Sequence, residues 1–268
     1  MAWLTQPFTL VVAAVVLLLV VILGVVIAMT GGGGGGDAVT KLEKARQELP
    51  LDLTNAAKLG KDDAPLKLVM YEDFQCPFCL KYTADQEPTL VNEYVKTGKV
   101  QFEYQHFPGL GFESAQAANA SQCAADQNRF WEYHSLLFLT EAKAGQLTTE
   151  KNNVGRFDAG KLKAFATEVG IPDQAKFDQC VDSTAHQDIV TQQQSRARSL
   201  GITGTPGFTI NGTPLGQGAP STLAEWRKLL DDAIAQVQKA GSASPGASAS
   251  PAVATAAAGA TPQPTATR

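Results

Sequence analysis

Two cysteines separated by two residues, Cys76-Pro77-Phe78-Cys79, follow a short apolar run, Leu66 to Tyr71 (LKLVMY), and precede a stretch, 77–97, that can form a helix ending at Gly98. No other feature constrains the chain as strongly. The run has the length and composition of a buried strand. Pro77 suits the first position of a helix, where its missing N–H costs nothing, and Gly98 suits the position just past a helix end. Val100 to His106 (VQFEYQH) then alternates as a strand should. The segment reads strand, helix, strand: a βαβ unit with both cysteines at the first strand-to-helix junction. Cysteines at i and i+3 of a helical turn share one face, close enough to bridge. The first lies beside unpaired backbone N–H groups and the positive end of the helix dipole, which favour its thiolate. Cys76 is therefore expected to be an exposed nucleophile and Cys79 its resolving thiol. A static bridge or half a metal site is the other reading of such a pair, with only three scattered His to complete a zinc site.

Helical spacing continues through 113–140 (Ala117, Ala120, Cys123, Ala124, Phe130, Trp131, Leu137), and further helices are expected over 158–169, 173–182 and 184–200. A turn-rich loop, 201–207, leads into a hairpin signal: Phe208 to Ile210, Asn211-Gly212, Thr213 to Leu215. Ser221 can cap a last helix running to about residue 239, with Leu223, Trp226, Leu229, Leu230, Ile234 and Val237 on one side.

The order is βαβ, a helical insertion, then ββα. With Phe74-Gln75 before Cys-Pro-Phe-Cys and Gly204-Thr205-Pro206-Gly207-Phe208-Thr209-Ile210-Asn211-Gly212 later, it resembles the DsbA-type thiol–disulfide oxidoreductases, in their membrane-anchored bacterial branch. The resemblance covers about residues 60–239. It implies an α/β, thioredoxin-like fold with an inserted helical subdomain, and an enzyme whose redox-active disulfide, Cys76–Cys79, needs no other cofactor. Pro206 corresponds to the family's cis-proline opposite that disulfide, which would leave the Thr205 backbone free to pair with an extended substrate segment; an ordinary turn before a strand is the plainer reading.

Two positions depart from the pattern. An acidic residue six positions before the first Cys is common in thioredoxin-like proteins; here that position is Met70. Glu72 and Asp73 stand nearby as candidate proton relays to Cys79, or as a solvated strand end. Phe78 replaces the His of Cys-Pro-His-Cys, so imidazole does not assist the thiolate, and a weaker oxidant is expected. By the same resemblance Cys123 and Cys180, 57 residues apart in the insertion, form a structural disulfide rather than two buried free thiols. Closing such a loop would stabilise the fold by about 4 kcal/mol in the chain-entropy model.

The ends read differently. Phe8 to Met29 carries no charge, and as a helix would extend roughly 33 Å, enough for a bilayer core of about 30 Å. It is expected to be an uncleaved transmembrane helix preceding the domain. A cleaved signal peptide would normally carry a basic n-region, and residues 1–7 hold no Lys or Arg. Lys41, Lys44 and Arg46 behind the anchor would hold the C-terminal side in the cytoplasm under the positive-inside rule. A disulfide at Cys123 and Cys180 would instead require an oxidising compartment, and that argument prevails.

The expected organisation is a flank (1–7), the anchor (8–29), a Gly-rich tether and short helical linker (30–60), the domain's first part (61–112), the helical insertion (113–200), the second part (201–240) and a disordered Ala/Ser/Pro/Thr-rich tail (241–268). The expected location is the cell membrane, single-pass, with the catalytic domain extracytoplasmic. The partners implied are exported proteins with free thiols, a quinone-linked membrane reoxidase by family analogy, and the membrane through 8–29. Nucleic acid is disfavoured, because 22 basic residues against 26 acidic ones give a net charge of −4. The leading function is a dithiol oxidase. A reductase or isomerase of the same fold, or a non-catalytic client-binding module, is the alternative.

Overall fold

Strand β3 (Leu66–Glu72) organises the domain because both of its faces are covered. Leu66, Leu68, Met70 and Glu72 alternate onto one side, where the first three join the main core; Val69 and Tyr71 turn to the other, against Phe107, Ala197 and Ile202. The computed structural model describes residues 15–18, 35–216 and 219–242. The expected anchor (8–29, apart from 15–18), most of the glycine run and the tail beyond Ser242 lie outside them. Among the described residues no helix is long and apolar enough to cross a membrane.

The sheet has six strands in the order β1-β2-β4-β3-β5-β6. β4 (Val100–His106) runs parallel to β3, pairing Leu66 with Val100 and Glu72 with His106. β5 (Gly207–Ile210) is antiparallel on the other side of β3, and β6 (Thr213–Pro214) closes the hairpin through Asn211 and Gly212, both at positive φ as an Asn-Gly turn requires. The order expected for residues 61–240, βαβ, a helical insertion, then ββα, is present, but the sheet begins earlier. β1 (Thr54–Asn55) and β2 (Lys58–Leu59) belong to it, β2 pairing with β4. The segment expected as linker is therefore partly sheet.

Helix α1 (Gly35–Gln47) begins inside the glycine run, whose last two residues form its first turn. Glycine disfavours a helix by about 1 kcal/mol per residue, and packing of Ala38 and Leu42 into the core offsets this. The single helix expected over 77–97 is α2 (Pro77–Asp85), α3 (Glu87–Leu90) and a π turn at Val91–Val95. Pro88 lacks the N–H needed to continue the helix and disfavours helical geometry before it. The stretch 113–140 likewise divides into α4 (Phe112–Ala125) and α5 (Phe130–Lys143), with Asn128 at φ 54° in the turn between them.

The insertion continues with α6 (Gln146–Thr149), α7 (Ala159–Glu168), α8 (Gln174–Asp182) and α9 (Gln187–Ser199). Asp158 and Asp173 cap α7 and α8 by accepting from Lys161 and Lys176 N–H. Cys123 and Cys180 are disulfide-bonded, joining α4 to α8. α10 (Leu223–Ser242) starts on Thr222, not Ser221. Thr222 Oγ1 accepts from Glu225 N–H while the Glu225 carboxylate accepts from Thr222 N–H, a capping box.

Candidate active site

The end of β3 delivers Cys76 to the N-cap of α2, with Pro77 in the first turn. A tight turn does this: Cys76 N–H donates to Asp73 O (3.0 Å) and Leu80 N–H to Cys76 O (3.0 Å). Cys76 and Cys79 are both free thiols. The Cys79 thiol hydrogen-bonds to Cys76 and, with the Thr205 side chain and the N–H groups of Cys79 and Phe78, holds the Cys76 thiol down to about 7 against the opposing effect of burial. Cys79 is completely buried, and burial, the Cys76 hydrogen bond and the Glu72 charge push its thiol well above the usual range. One sulfur is thus easily ionised and its neighbour retains its proton, the asymmetry an attacking and a resolving thiol require.

Cys76 is not exposed as expected; only 4% of its surface reaches solvent. The loop 201–207 folds over it, so that Sγ donates to Thr205 O at 3.4 Å. The Thr205–Pro206 peptide is cis. Gly207 allows the loop to close, because a side chain there would collide with Ile202. Phe78, 66% exposed, lies beside the covered sulfur. A groove of about 380 Å³ opens there between Phe78, Tyr82, Thr205, Pro206, Phe208 and Pro220. The groove is thus bounded by Phe78 from the active-site turn and by the Thr205–Pro206 loop that covers Cys76.

The two candidate relays separate. Asp73 is an anchor: its carboxylate accepts from the backbone N–H of Gln75 (2.9 Å), Gly109 (2.8 Å) and Leu110 (3.0 Å), tying the active-site turn to the loop after β4. Glu72 turns inward from the end of β3, with both carboxyl oxygens buried and without a hydrogen-bond partner. It is buried, and burial first, then the charges of Glu87 and Cys76, push its carboxyl well up, with only the Cys79 thiol opposing them. Met70, in the position where an acid is common, instead receives a hydrogen bond from Tyr82 Oη at 3.4 Å.

Several contributors were not singled out from the sequence. Gln75 is buried and links three parts of the chain: Nε2 donates to Ser114, Oε1 accepts from Asn153 N–H, and its carbonyl accepts from Gln146 Nε2. Gln146 in turn accepts from Arg156, which pairs with the fully buried Glu141. Gln86 bridges α2 to α10 by accepting from Trp226 Nε1 and donating to Ser221 O. The aromatic character of Phe130-Trp131 signals the core cluster around His134, which packs against Phe74, Tyr104 and Phe138. His106 is buried at the end of β4, its Nε2 3.2 Å from Ser121 Oγ. His186 is largely shielded and pairs with Asp126.

A protein-family model described as Thioredoxin matches residues 53–232. A probable disulfide bond formation protein D of Bacillus anthracis is 30% identical over 156 residues, covering 58% of this chain and 69% of that protein. Among solved structures, oxidised BdbD from Bacillus subtilis superposes with a TM-score of 0.58 at 23% identity, covering 68% of this chain and 94% of that one. Wolbachia pipientis alpha-DsbA1 superposes with a TM-score of 0.57 at 24% identity, covering 73% and 98%. These likenesses in structure concern the fold.

Proposed function

We propose a direction and a place of action for a chain that belongs to the thioredoxin family and is a thiol–disulfide oxidoreductase of the DsbA type: it is a dithiol oxidase, tethered to the cell membrane through residues 8–29, that introduces disulfides into exported proteins. What supports thiol exchange is Cys76 at the N-cap of α2, its thiol held down to about 7, beside the completely buried Cys79, its thiol held well up; what supports the oxidising direction is the Cys123–Cys180 disulfide, which persists in an oxidising compartment. A stabilised thiolate favours the reduced form of the pair, and so makes its disulfide a better oxidant.

In the oxidised enzyme a substrate thiolate attacks Cys76 Sγ from the groove. The new S–S bond forms as the Cys76–Cys79 bond breaks, and the electron pair leaves with Cys79. Glu72, the buried acid at the end of β3, supplies the proton. A second substrate thiolate then attacks the substrate sulfur of the mixed disulfide and releases Cys76 as a thiolate. Substrate is oxidised to a disulfide, and the enzyme is left as a dithiol with no cofactor involved. A quinone-linked membrane protein would take the two electrons back out.

The Cys123–Cys180 disulfide supports an oxidising compartment for the domain, and the uncharged run 8–29 supports the tether. The exposed Phe78 and the mostly apolar groove suit an unfolded client segment. A Cys76 thiol near 7 resembles thioredoxin's (about 7) more than that of a Cys-Pro-His-Cys enzyme (about 3.5). Equilibration with a glutathione redox buffer, read by mass change after alkylation, should therefore give a couple less oxidising than a Cys-Pro-His-Cys enzyme; the oxidase reading further requires one more oxidising than thioredoxin. A potential at or below that of thioredoxin would favour the reductase reading.

A further inference from the structure

Three segments of the insertion converge on the Cys123–Cys180 disulfide: α4 brings Cys123 and Asn119, α8 brings Cys180, and the turn after α8 brings His186, which opens α9. A ring nitrogen of His186 and the two sulfurs lie within 4.8 Å of one another. The turn is unusual, because Thr184 sits at φ 50°, a left-handed conformation that a β-branched residue rarely adopts. Bonds on both sides hold it there: Thr184 N–H donates to Val181 O, and Ala185 N–H to Cys180 O. Two side chains at α4 then fix His186. Asn119 Oδ1 accepts from His186 N–H at 2.9 Å, while Asn119 Nδ2 donates to Cys123 Sγ at 3.9 Å. Asp126, just past the end of α4, places Oδ2 2.7 Å from His186 Nε2. A carboxylate on one ring nitrogen is how metal-binding histidines are commonly oriented, and it leaves Nδ1 to bind.

We propose that Cys123, Cys180 and His186 form a second, redox-gated site, which binds one zinc-like divalent ion once the bridge between the cysteines is reduced. It is separate from the exchange reaction at Cys76. Two thiolates and an imidazole are donors that suit zinc, whereas calcium and magnesium take oxygen. Bonds of about 2.3 Å to sulfur and 2.0–2.1 Å to nitrogen set tetrahedral edges of roughly 3.5–3.8 Å. The imidazole is therefore already near its place, and the main change is separation of the sulfurs. Their Cα atoms are 5.9 Å apart, so side-chain rotation can supply it. Cys123 is buried, whereas Cys180 and His186 are only partly so. The ion enters past those two, and water fills the fourth position.

A dithiol reductant opens the site. Its thiolate attacks Cys180 Sγ, the more accessible sulfur; the Cys123–Cys180 bond breaks, and the electron pair leaves with Cys123. The reductant's second thiolate then attacks the reductant sulfur of the mixed disulfide, closing a cyclic disulfide and freeing Cys180. Two electrons have entered the protein, and both cysteines give up their protons to solvent as the ion binds. A disulfide oxidant takes the two electrons back, re-forms the bridge and expels the ion. Cysteine enters every chain as a thiol, so a new chain passes through the dithiol state before the bridge closes. In that state the ion joins α4 to α8 as the disulfide does afterwards.

The test is a cobalt(II) titration of the full-length protein carrying Cys76→Ser and Cys79→Ser, reduced with a dithiol that is then removed without air. Cobalt reports tetrahedral thiolate ligation in its spectrum. One equivalent should bind with sulfur-to-metal charge-transfer and intense visible bands, and zinc should displace it. Zinc at a hundredfold excess over its Kd should raise the melting temperature of the reduced protein by about 5–10 °C and leave that of the oxidised protein unchanged. His186→Ala should weaken cobalt binding by about 100-fold or more, and Asp126→Asn by about 10-fold. Both variants should still close the disulfide and, once oxidised, melt close to their parent, which separates loss of a ligand from loss of the fold. The proposal is overturned if the reduced protein binds no cobalt, if the oxidised protein binds it equally well, or if His186→Ala binds it as tightly as its parent. None of these measurements uses Cys76 or Cys79, so each result stands whether or not the oxidase reading does.

Discussion

Replacing Cys76 by Ser is expected to lower the oxidation of a reduced substrate by roughly 10³-fold or more, because the reacting sulfur is removed and nothing else at the site can take its place. The partner substitution should behave differently. Cys79→Ser keeps the attacking thiol at the N-cap of α2 but lacks the one that resolves it, so incubation with a disulfide-containing peptide should accumulate a mixed disulfide at Cys76. Mass spectrometry under non-reducing conditions would detect the adduct, and a dithiol should release it. Cys76→Ser should form little, because Cys79 is fully buried and its thiol is held well above the usual range. If both variants formed adduct at equal rates, the division of roles between the sulfurs would be wrong.

Replacing Arg156 by Met is expected to destabilise the fold by about 3–5 kcal/mol, the usual consequence of leaving one member of a buried ion pair without its partner. Arg156 Nη1 lies 2.5 Å from Glu141 Oε2, whose side chain is wholly buried, and 2.6 Å from Gln146 Oε1. Burial already raises Glu141 to about 7 in spite of the Arg156 charge. The same substitution removes a partner of Gln146, and with it part of the support for Gln75 immediately before Cys76. Denaturant unfolding measures the cost. Adding Glu141→Gln to the Arg156→Met background should recover much of it, because the stranded charge is gone. A loss below about 1 kcal/mol would mean that the pair behaves as a surface salt bridge.

What the sequence reveals is what local rules govern. β3, β4 and the start of α2 follow from alternation and from Pro77 at a helix N-terminus, and these place Cys76 and Cys79. The Asn211-Gly212 hairpin is equally local. The inward aim of Glu72 is also legible, since it continues the alternation of Leu66, Leu68 and Met70. Pro88 was the available signal for the break at Gln86, and the polar turn at 126–129 for the break before α5. β1 and β2 are too short for any periodicity to mark them; pairing with β4 creates them.

Burial of Cys76 depends on Thr205, 129 residues further along, so helix-terminus reasoning makes the sulfur ionisable but cannot foresee that it is covered. The ties from Gln75 to Gln146 and Asn153 cross 71 and 78 residues. Asp73 and Glu72 are adjacent acids in unlike surroundings, one taken up by backbone N–H groups and the other buried without a hydrogen-bond partner. Alternation aims Glu72 inward, but the capture of Asp73 by the loop after β4 depends on contacts 36 and 37 residues away that no local rule predicts.

The oxidase reading makes its firmest commitment about the state of Cys76 and Cys79 in the living cell. Acid quenching followed by alkylation with a mass-tagged thiol reagent reports how many cysteines were free at the moment of arrest. The account predicts a protein that takes up no tag at any of its four cysteines, in the extracytoplasmic compartment, with two more exposed when its membrane reoxidase is lost. A protein found mainly with Cys76 and Cys79 tagged in otherwise normal cells would contradict it, and would assign the same site to disulfide reduction or isomerisation.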